Sequence, residues 1–152
     1  MFSFFKKKKS LLNDEDTRVV VKAIRHAEQH TSGEVRVYIE SHCRWMDAID
    51  RAAEVFFSLQ MEKTEQRNAV LVYVALKDRQ LAVFGDEGIH QKVGTGYWNK
   101  VVEEMIGSFN SDNYAEGIGN CVVQIGDALH QHFPYDKQTD KNELPDEIVF
   151  GK

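Results

Sequence analysis

Residues 69–76 have the sequence AVLVYVAL, an unbroken apolar run that constrains the fold more than any other stretch of the chain. The run is short for a helix and rich in β-branched residues, so it predicts a strand that is buried on both faces of a sheet. Such a strand needs helices packed against both of those faces. The polar turn KDRQ at 77–80 and the apolar QLAVF at 80–84 predict a hairpin partner for it.

Periodicity accounts for most of the remaining chain. Apolar residues at helical spacing predict four helices, near residues 14–30, 46–60, 93–106 and 114–132. The stretch EVRVYIE at 34–40 alternates apolar and polar residues, which is typical of a strand with one apolar face. Pro134 ends the last helix.

The order of these elements predicts the topology. A helix-length crossover separates the strand at 34–40 from the strand at 69–76, so we expect those two to be parallel and the hairpin partner to be antiparallel. The result is an α/β domain with a small mixed sheet between helices. We assign residues 1–10 to a flexible basic segment, 11–134 to the domain and 135–152 to an extended polar tail.

Composition limits the possible partners. A formal charge of −5 argues against the broad basic surface of a nucleic-acid-binding protein, so no nucleic acid partner is expected. Cys43 and Cys121 lie far apart without metal-binding spacing, which predicts reduced thiols in a cytoplasmic protein. No apolar stretch approaches the roughly 20 residues that span a bilayer.

The first ten residues, MFSFFKKKKS, combine aromatic and basic side chains. A secretory signal places its basic residues before a longer apolar region, so this order does not match one. We interpret the segment as a solvated terminus, because runs of like charge usually are. The alternative is contact with an anionic membrane or a protein partner, since lysines are attracted to anionic lipid.

A candidate site arises where three predicted loops converge. The hairpin brings residues 85–87 beside residues 65–68, and the parallel first strand brings residues 32–34 to the same end of the sheet. The side chains gathered there include the carboxylates Glu34, Glu65, Asp86 and Glu87. Hard cations such as calcium take six to eight oxygen ligands at about 2.3–2.6 Å, which carboxylates and loop carbonyls supply, so one interpretation of this cluster is a divalent-cation site.

Supporting oxygens would come from the backbone or side chains of Ser32, Gly33, Asn68 and Gly85. An alternative needs no ligand: Asp86 and Glu87 directly precede a predicted helix, whose N-terminus is stabilised by negative charge. Both interpretations stay open at this point.

Histidines offer a second set of candidates. His26 and His30 are four residues apart on one helical face, which is zinc-ligand spacing, but Ala27 stands where a zinc protease needs glutamate. We interpret them as part of a polar helix face. His130 and His132 suit the end of a helix, and His90 either orients a ligand or faces solvent.

Two further groups are assigned structural roles. Cys43 follows the first strand beside Arg44, at the end of the sheet where α/β proteins bind ligands, yet no base is placed by the sequence, so a buried or inert thiol is expected. Aromatic residues at helical spacing are expected in the core; these are Phe56, Phe57, Tyr97 and Trp98.

The order of four motifs resembles the TPM domain family. They are GEVRV at 33–37, RNAVLVYVAL at 67–76, FGDEGIH at 84–90, and a closing HFP followed by KNELPDE. The similarity extends from about residue 12 to about residue 149 and is greatest to the short, soluble bacterial form. It implies a three-layer, Rossmann-like α/β/α sandwich and divalent-cation binding, chiefly of calcium. Relatives in other branches of the family have acid phosphatase activity or modulate membrane receptors.

The chain departs from the family at the entrance to the central strand. Many members have Asp-Asn-Gly there, whereas this chain has Arg67, Asn68 and Ala69. A carboxylate is thus replaced by a cation, and Glu65 is the residue that could compensate. We expect a cation-binding domain with a binding or regulatory role. The alternatives are a metal-assisted acid phosphatase, for which no Asp-x-Asp, Cys-x5-Arg or P-loop motif is present, and a docking domain.

Overall fold

The computed structural model describes residues 12–110, 113–135 and 148–151. The elements in chain order are α1 (Asp14–Glu28), β1 (Glu34–Glu40), α2 (Ala48–Ser58), β2 (Ala69–Ala75), β3 (Gln80–Gly85), α3 (Glu87–Asn110), α4 (Tyr114–His132) and β4 (Ile148–Phe150). The first seven follow the predicted order.

The sheet is mixed, with strand order β3-β2-β1-β4. β1 is parallel to β2, and β3 is antiparallel to β2, as predicted. β4 adds a fourth strand parallel to β1, with Val37 opposite Ile148. The sequence analysis does not predict β4, because three residues are too few for a strand periodicity.

Helices cover both faces of the sheet, so the predicted α/β/α sandwich is confirmed. Alternate residues of β2 point to opposite faces: Val70, Val72 and Val74 join the larger core, whereas Leu71 and Tyr73 join the smaller one. Helices α1, α3 and α4 supply the larger core, and α2 supplies most of the smaller one. All seven residues of β2 are buried, which explains its unbroken apolar sequence.

Local sequence signals set the helix boundaries. Asn13 caps α1, because its side-chain oxygen accepts a hydrogen bond from the Asp16 amide at 2.7 Å. Helix α3 starts at Glu87, earlier than the periodic segment, and is interrupted at Gly94, whose φ of 80° lies in the left-handed region. The interruption changes the direction of the helix and so breaks the single helical period that the sequence would otherwise show.

Candidate functional site

The three loops of the predicted site meet at the amino end of β1 and β2. The Glu34 amide donates to the Asn68 carbonyl at 3.4 Å, and the Asp86 amide donates to the Ala69 carbonyl at 2.9 Å. These bonds continue the parallel and antiparallel pairings of the sheet past its first residues. We call this group of loops, residues 32–34, 65–68 and 85–88, the amino-end cluster.

An arginine occupies the middle of the amino-end cluster. Arg67 Nε lies 2.7 Å from Asp86 Oδ2, and a terminal nitrogen of the same guanidinium lies 2.8 Å from Oδ1. Asp86 Oδ1 also accepts the Glu87 amide at 2.8 Å, at the first residue of α3. Asp86 is 3% exposed and both of its carboxylate oxygens are engaged by the protein. Hydrogen bonding to Asp86 raises the pKa of Arg67 above its usual value.

Backbone contacts hold Arg67 in place. The Gly88 amide donates to the Arg67 carbonyl at 2.8 Å. A Cβ atom on Gly88 would lie 2.1 Å from the Gln66 carbonyl oxygen, so only glycine allows α3 to approach this loop. Arg67 itself has a φ of 51°, a left-handed backbone conformation that residues other than Gly, Asn and Asp rarely adopt. Glu87 adds a longer ion pair to the guanidinium, at 3.2 Å.

The other predicted ligands differ in their exposure to solvent. Glu34 is buried, whereas Glu65 is exposed. The Ser32 hydroxyl oxygen accepts from the side-chain amides of Gln66 and Asn68, at 3.2 and 3.4 Å. Asn68 Oδ1 is buried and lacks a hydrogen-bond partner among the described atoms. Among the supporting residues of the predicted site, the Asn68 side-chain oxygen is therefore the best placed to accept a further hydrogen bond or bind an ion.

The two glycines of the predicted site have packing roles. A Cβ on Gly33 would lie 2.7 Å from the Leu129 side chain, and a Cβ on Gly85 would lie 2.3 Å from the indole of Trp98. Because neither glycine has a side chain, α4 packs closely against Gly33 and α3 packs closely against Gly85. Neither glycine needs a ligand to explain it.

These residues do not fit a divalent cation as they stand. In the described part of the chain, no three His, Cys, Asp or Glu side chains are placed to hold a metal ion. Asp86 would have to exchange Arg67 for the ion, and a single orphan oxygen on Asn68 falls well short of the six to eight oxygens that calcium takes. Calcium binding therefore stays a prediction.

A second polar group lies at the opposite, carboxyl end of β1. Arg51 of α2 contacts both carboxylate oxygens of Glu40, at 2.9 Å each, and Tyr73 donates its hydroxyl proton to the same carboxylate. Burial raises the pKa of Glu40, but the hydrogen bonds from Arg51 and Tyr73 outweigh it and hold that pKa below its usual value. We call Glu40, Arg51 and Tyr73 the carboxyl-end network.

The loop after β1 opens a cavity of about 720 Å³ beside this network. Asp78 fixes the loop, because its carboxylate accepts from the Cys43 amide at 2.8 Å and lies 2.8 Å from His42 Nδ1. The Cys43 thiol is buried, as one of the two expectations had it, and donates to the Met46 carbonyl at 3.3 Å. Trp45 is 95% exposed and has a φ of 73°, a feature that sequence periodicity could not reveal.

A third concave surface follows the outer edge of β3. This groove has a volume of about 890 Å³ and extends from the amino-end cluster between α2 and α3. Phe57 and Ile49 of α2 line one wall and are 49% and 48% exposed. The expectation that Phe57 belongs to the core is therefore wrong, whereas Phe56 and Trp98 are buried as expected. Both Ile49 and Phe57 of this helix are exposed, although the apolar pattern places them on its inner face, because they lie beside β3 at the end of the described sheet.

Histidines contribute to two of these regions. His90 is exposed, and its Nδ1 accepts the indole N–H of Trp98 at 2.9 Å, which orients the opposite wall of the groove. His26, His30 and His130 lie together at the α1–α4 interface. The ring centroid of His30 is 5.0 Å from that of His26 and 6.3 Å from that of His130. The Nδ1 atoms of His30 and His130 lie 2.9 and 2.8 Å from backbone carbonyl oxygens, as expected of structural histidines.

A model of the TPM domain matches residues 6–128, which include the amino-end cluster, the carboxyl-end network and all of β1 to β3. The chain belongs to the TPM domain family. No curated protein sequence matches it. Among the described residues of this TPM domain, no helix is both long and apolar enough to cross a bilayer.

Solved structures support the same assignment. The BA42 protein of the psychrophilic bacterium Bizionia argentinensis is 36% identical and has a TM-score of 0.85, and the match covers 96% of this chain and 99% of that one. An N-terminal domain from P. gingivalis shares the fold at 20% identity and a TM-score of 0.63, over 84% and 83% of the two chains. The N-terminal domain of cg2496 from Corynebacterium glutamicum shares it at 10% and 0.59, over 80% and 76%.

Proposed function

We propose that this TPM domain is a binding module that receives an extended peptide of a partner protein along the outer edge of β3. The groove beside β3 carries the proposal, because it combines the outermost strand of the described sheet with an exposed apolar wall on α2. Peptides that add a strand to such an edge gain affinity from main-chain hydrogen bonds and specificity from side-chain pockets.

β3 is the outermost strand of the described sheet and pairs with β2 on one side, with Val72 opposite Val83. Its middle residues, Leu81 to Val83, are buried, so a peptide would have to part the groove walls to reach their backbone. Within the described residues, β3 has no other strand neighbour. An edge strand of this kind pairs readily with another chain unless charge or a bulge protects it. The exposed apolar wall beside it favours a peptide over water.

The walls indicate which side chains the peptide would carry. Side chains of an added strand would point alternately toward α2 and toward α3, which cover opposite faces of the sheet. Toward α2 they would meet Phe57 and Ile49, which are 49% and 48% exposed, and contiguous exposed apolar residues mark an interaction surface. Toward α3 they would meet the acidic Glu87 and Glu103. The groove therefore favours an alternating peptide whose apolar face lies toward α2.

The charge along the groove favours a basic peptide. Its ionised lining residues are Arg67, Asp86, Glu87 and Glu103. Arg67 is paired with Asp86 and Glu87, so the net charge of the lining is negative. Lysine or arginine on the face of the peptide toward α3 would complement it and would accelerate association at low ionic strength.

The family resemblance supports other proposals with less geometry behind them. Divalent-cation binding and metal-assisted phosphatase activity both depend on Asp86, whose oxygens accept hydrogen bonds from Arg67 and from the backbone. Docking through the lysine-rich segment 1–10 falls outside the described residues. A cytoplasmic location stays a prediction from cysteine usage.

Fluorescence polarisation tests the peptide proposal. The probe is a fluorescein-labelled peptide of about eight residues in which valine and lysine alternate, the length of a typical strand. We expect saturable binding that weakens with salt, and chemical-shift changes in the β3 amides. A matched peptide with glutamate in place of lysine should bind at least about tenfold more weakly.

Point variants distinguish peptide binding in the groove from nonspecific hydrophobic binding. Phe57→Ser removes an exposed wall and should weaken binding, whereas Ile106→Ser, at an apolar residue of α3 that is 42% exposed but outside the groove, should not. Glu103→Gln should weaken binding of the basic peptide, whereas Glu116→Gln on α4 should not. Equal binding by both peptides, or equal loss in the control variants, would refute the proposal.

A further inference from the structure

Arg67 stands in the amino-end cluster where the family resemblance implies a divalent cation. We infer that its guanidinium is a built-in cation, which takes over the structural role of the metal and makes the domain independent of divalent ions. The inference does not depend on peptide binding, and it is argued from the contacts of Arg67.

The guanidinium satisfies the carboxylates as an ion would. It binds Asp86 through two nitrogens, at 2.7 and 2.8 Å, and reaches Glu87 at 3.2 Å. A planar guanidinium matches a carboxylate in this two-point geometry and keeps its proton at any ordinary pH. Asp86, which is 3% exposed, thereby keeps a charge partner that cannot dissociate from the chain.

The guanidinium also joins the segments that a metal would join. Asp86 accepts the first amide of α3 while it binds Arg67, so the start of α3 is tied to the entrance of β2. The Gly88 amide and the Arg67 carbonyl make a second connection at 2.8 Å. Arg67 itself has a left-handed backbone, with a φ of 51°. Several independent contacts therefore fix the position of the charge.

A divalent ion would compete with this arrangement. An ion bound to Asp86 would lie within a few ångströms of the guanidinium, where like charges repel strongly. It would gain the Asn68 oxygen, which lacks a partner among the described atoms, but it would first have to displace the two-point pair. Removing the arginine and adding a carboxylate should therefore restore the ion requirement.

Thermal unfolding with and without calcium tests the inference. The melting temperature of the wild-type protein should be the same in EDTA and in about 5 mM calcium or magnesium chloride. Arg67→Asp should melt at a lower temperature in EDTA and should gain at least about 5 °C on addition of calcium, as a protein with a new ligand does. Arg67→Gln, which removes the charge without adding a ligand, should melt lower and should not respond to calcium.

Controls keep the outcome decisive. Arg44→Asp makes the same charge change at an exposed arginine near the other end of the sheet and should confer no calcium response. Calorimetry of the wild-type protein with calcium gives a result even if Arg67→Asp does not fold: saturable heat would overturn the inference. A folded Arg67→Asp variant that ignores calcium would overturn it as well.

Discussion

Two arginine–carboxylate pairs lie at opposite ends of the same sheet. At the amino end, Arg67 binds both oxygens of Asp86, and at the carboxyl end, Arg51 binds both oxygens of Glu40. The two arginines are 37% and 26% exposed. Similar pair geometry thus occurs in two places with different surroundings.

The surroundings give the pairs different roles. Around Asp86 the remaining partners are backbone amides of a helix start, so that pair closes a junction between loops. Around Glu40 the additional partner is the buried Tyr73 hydroxyl, so that pair is part of the core beneath α2. An ion pair that joins loops can replace a ligand, whereas one built into a core mainly satisfies buried polar groups.

The largest expected effect distinguishes the two ends by stability. Glu40→Ala leaves the buried Tyr73 hydroxyl without its acceptor and leaves Arg51 with Glu54 as its remaining carboxylate, so we expect a loss of about 3 kcal/mol in the free energy of unfolding. Urea denaturation measures it. Glu54→Ala removes the other carboxylate that contacts Arg51, but Glu54 is 54% exposed, so the loss should stay below about 1 kcal/mol. Equal losses in the two variants would show that the network is not part of the core.

The next effect tests the close approach at the amino end. Gly88→Ala places a methyl group 2.1 Å from the Gln66 carbonyl oxygen, so the start of α3 must move away from the Arg67 loop. We expect a loss of about 2 kcal/mol, within the range for overpacked sites. Gly96→Ala, in the same helix, meets no atom within 4 Å and should be neutral or slightly stabilising. If both variants behave alike, the junction is not closed as described.

The smallest effect is a pH dependence at the carboxyl end. The folded-state pKa of Glu40 is lowered, so its contribution to stability is present above its unfolded pKa, about 4.3, and is lost as the pH falls through the folded value. Glu40→Gln should therefore lose less stability than wild type when the pH falls below about 4. Urea denaturation between about pH 3 and about pH 6 measures the difference in the free energy of unfolding. Identical pH profiles of the wild-type protein and Glu40→Gln would show that Glu40 does not contribute to the loss of stability at low pH.

Much of the fold followed from local patterns. The apolar run of β2 predicted a strand covered on both faces, and the short turn after it predicted the antiparallel β3. Together they placed Asp86 beside the entrance of β2 before any side-chain contact was known. The exposure of Phe57 did not follow, because it depends on β3 being the outermost strand of the described sheet. The strand β4 did not follow either, because three residues are too few to show a period.

The sequence by itself therefore determined the architecture and the meeting of the three loops. Burial imposes a period of two on strands and 3.6 on helices, and that period is visible in the order of apolar residues. Only the tertiary structure decided what the loops contain, since Arg67 and Asp86 are 19 residues apart and no local pattern links them. Their contact depends on a left-handed backbone at Arg67 and on the close approach that Gly88 allows. The sequence shows that an arginine replaces the aspartate found in many members of the family. Only the fold shows where the charge of that arginine lies.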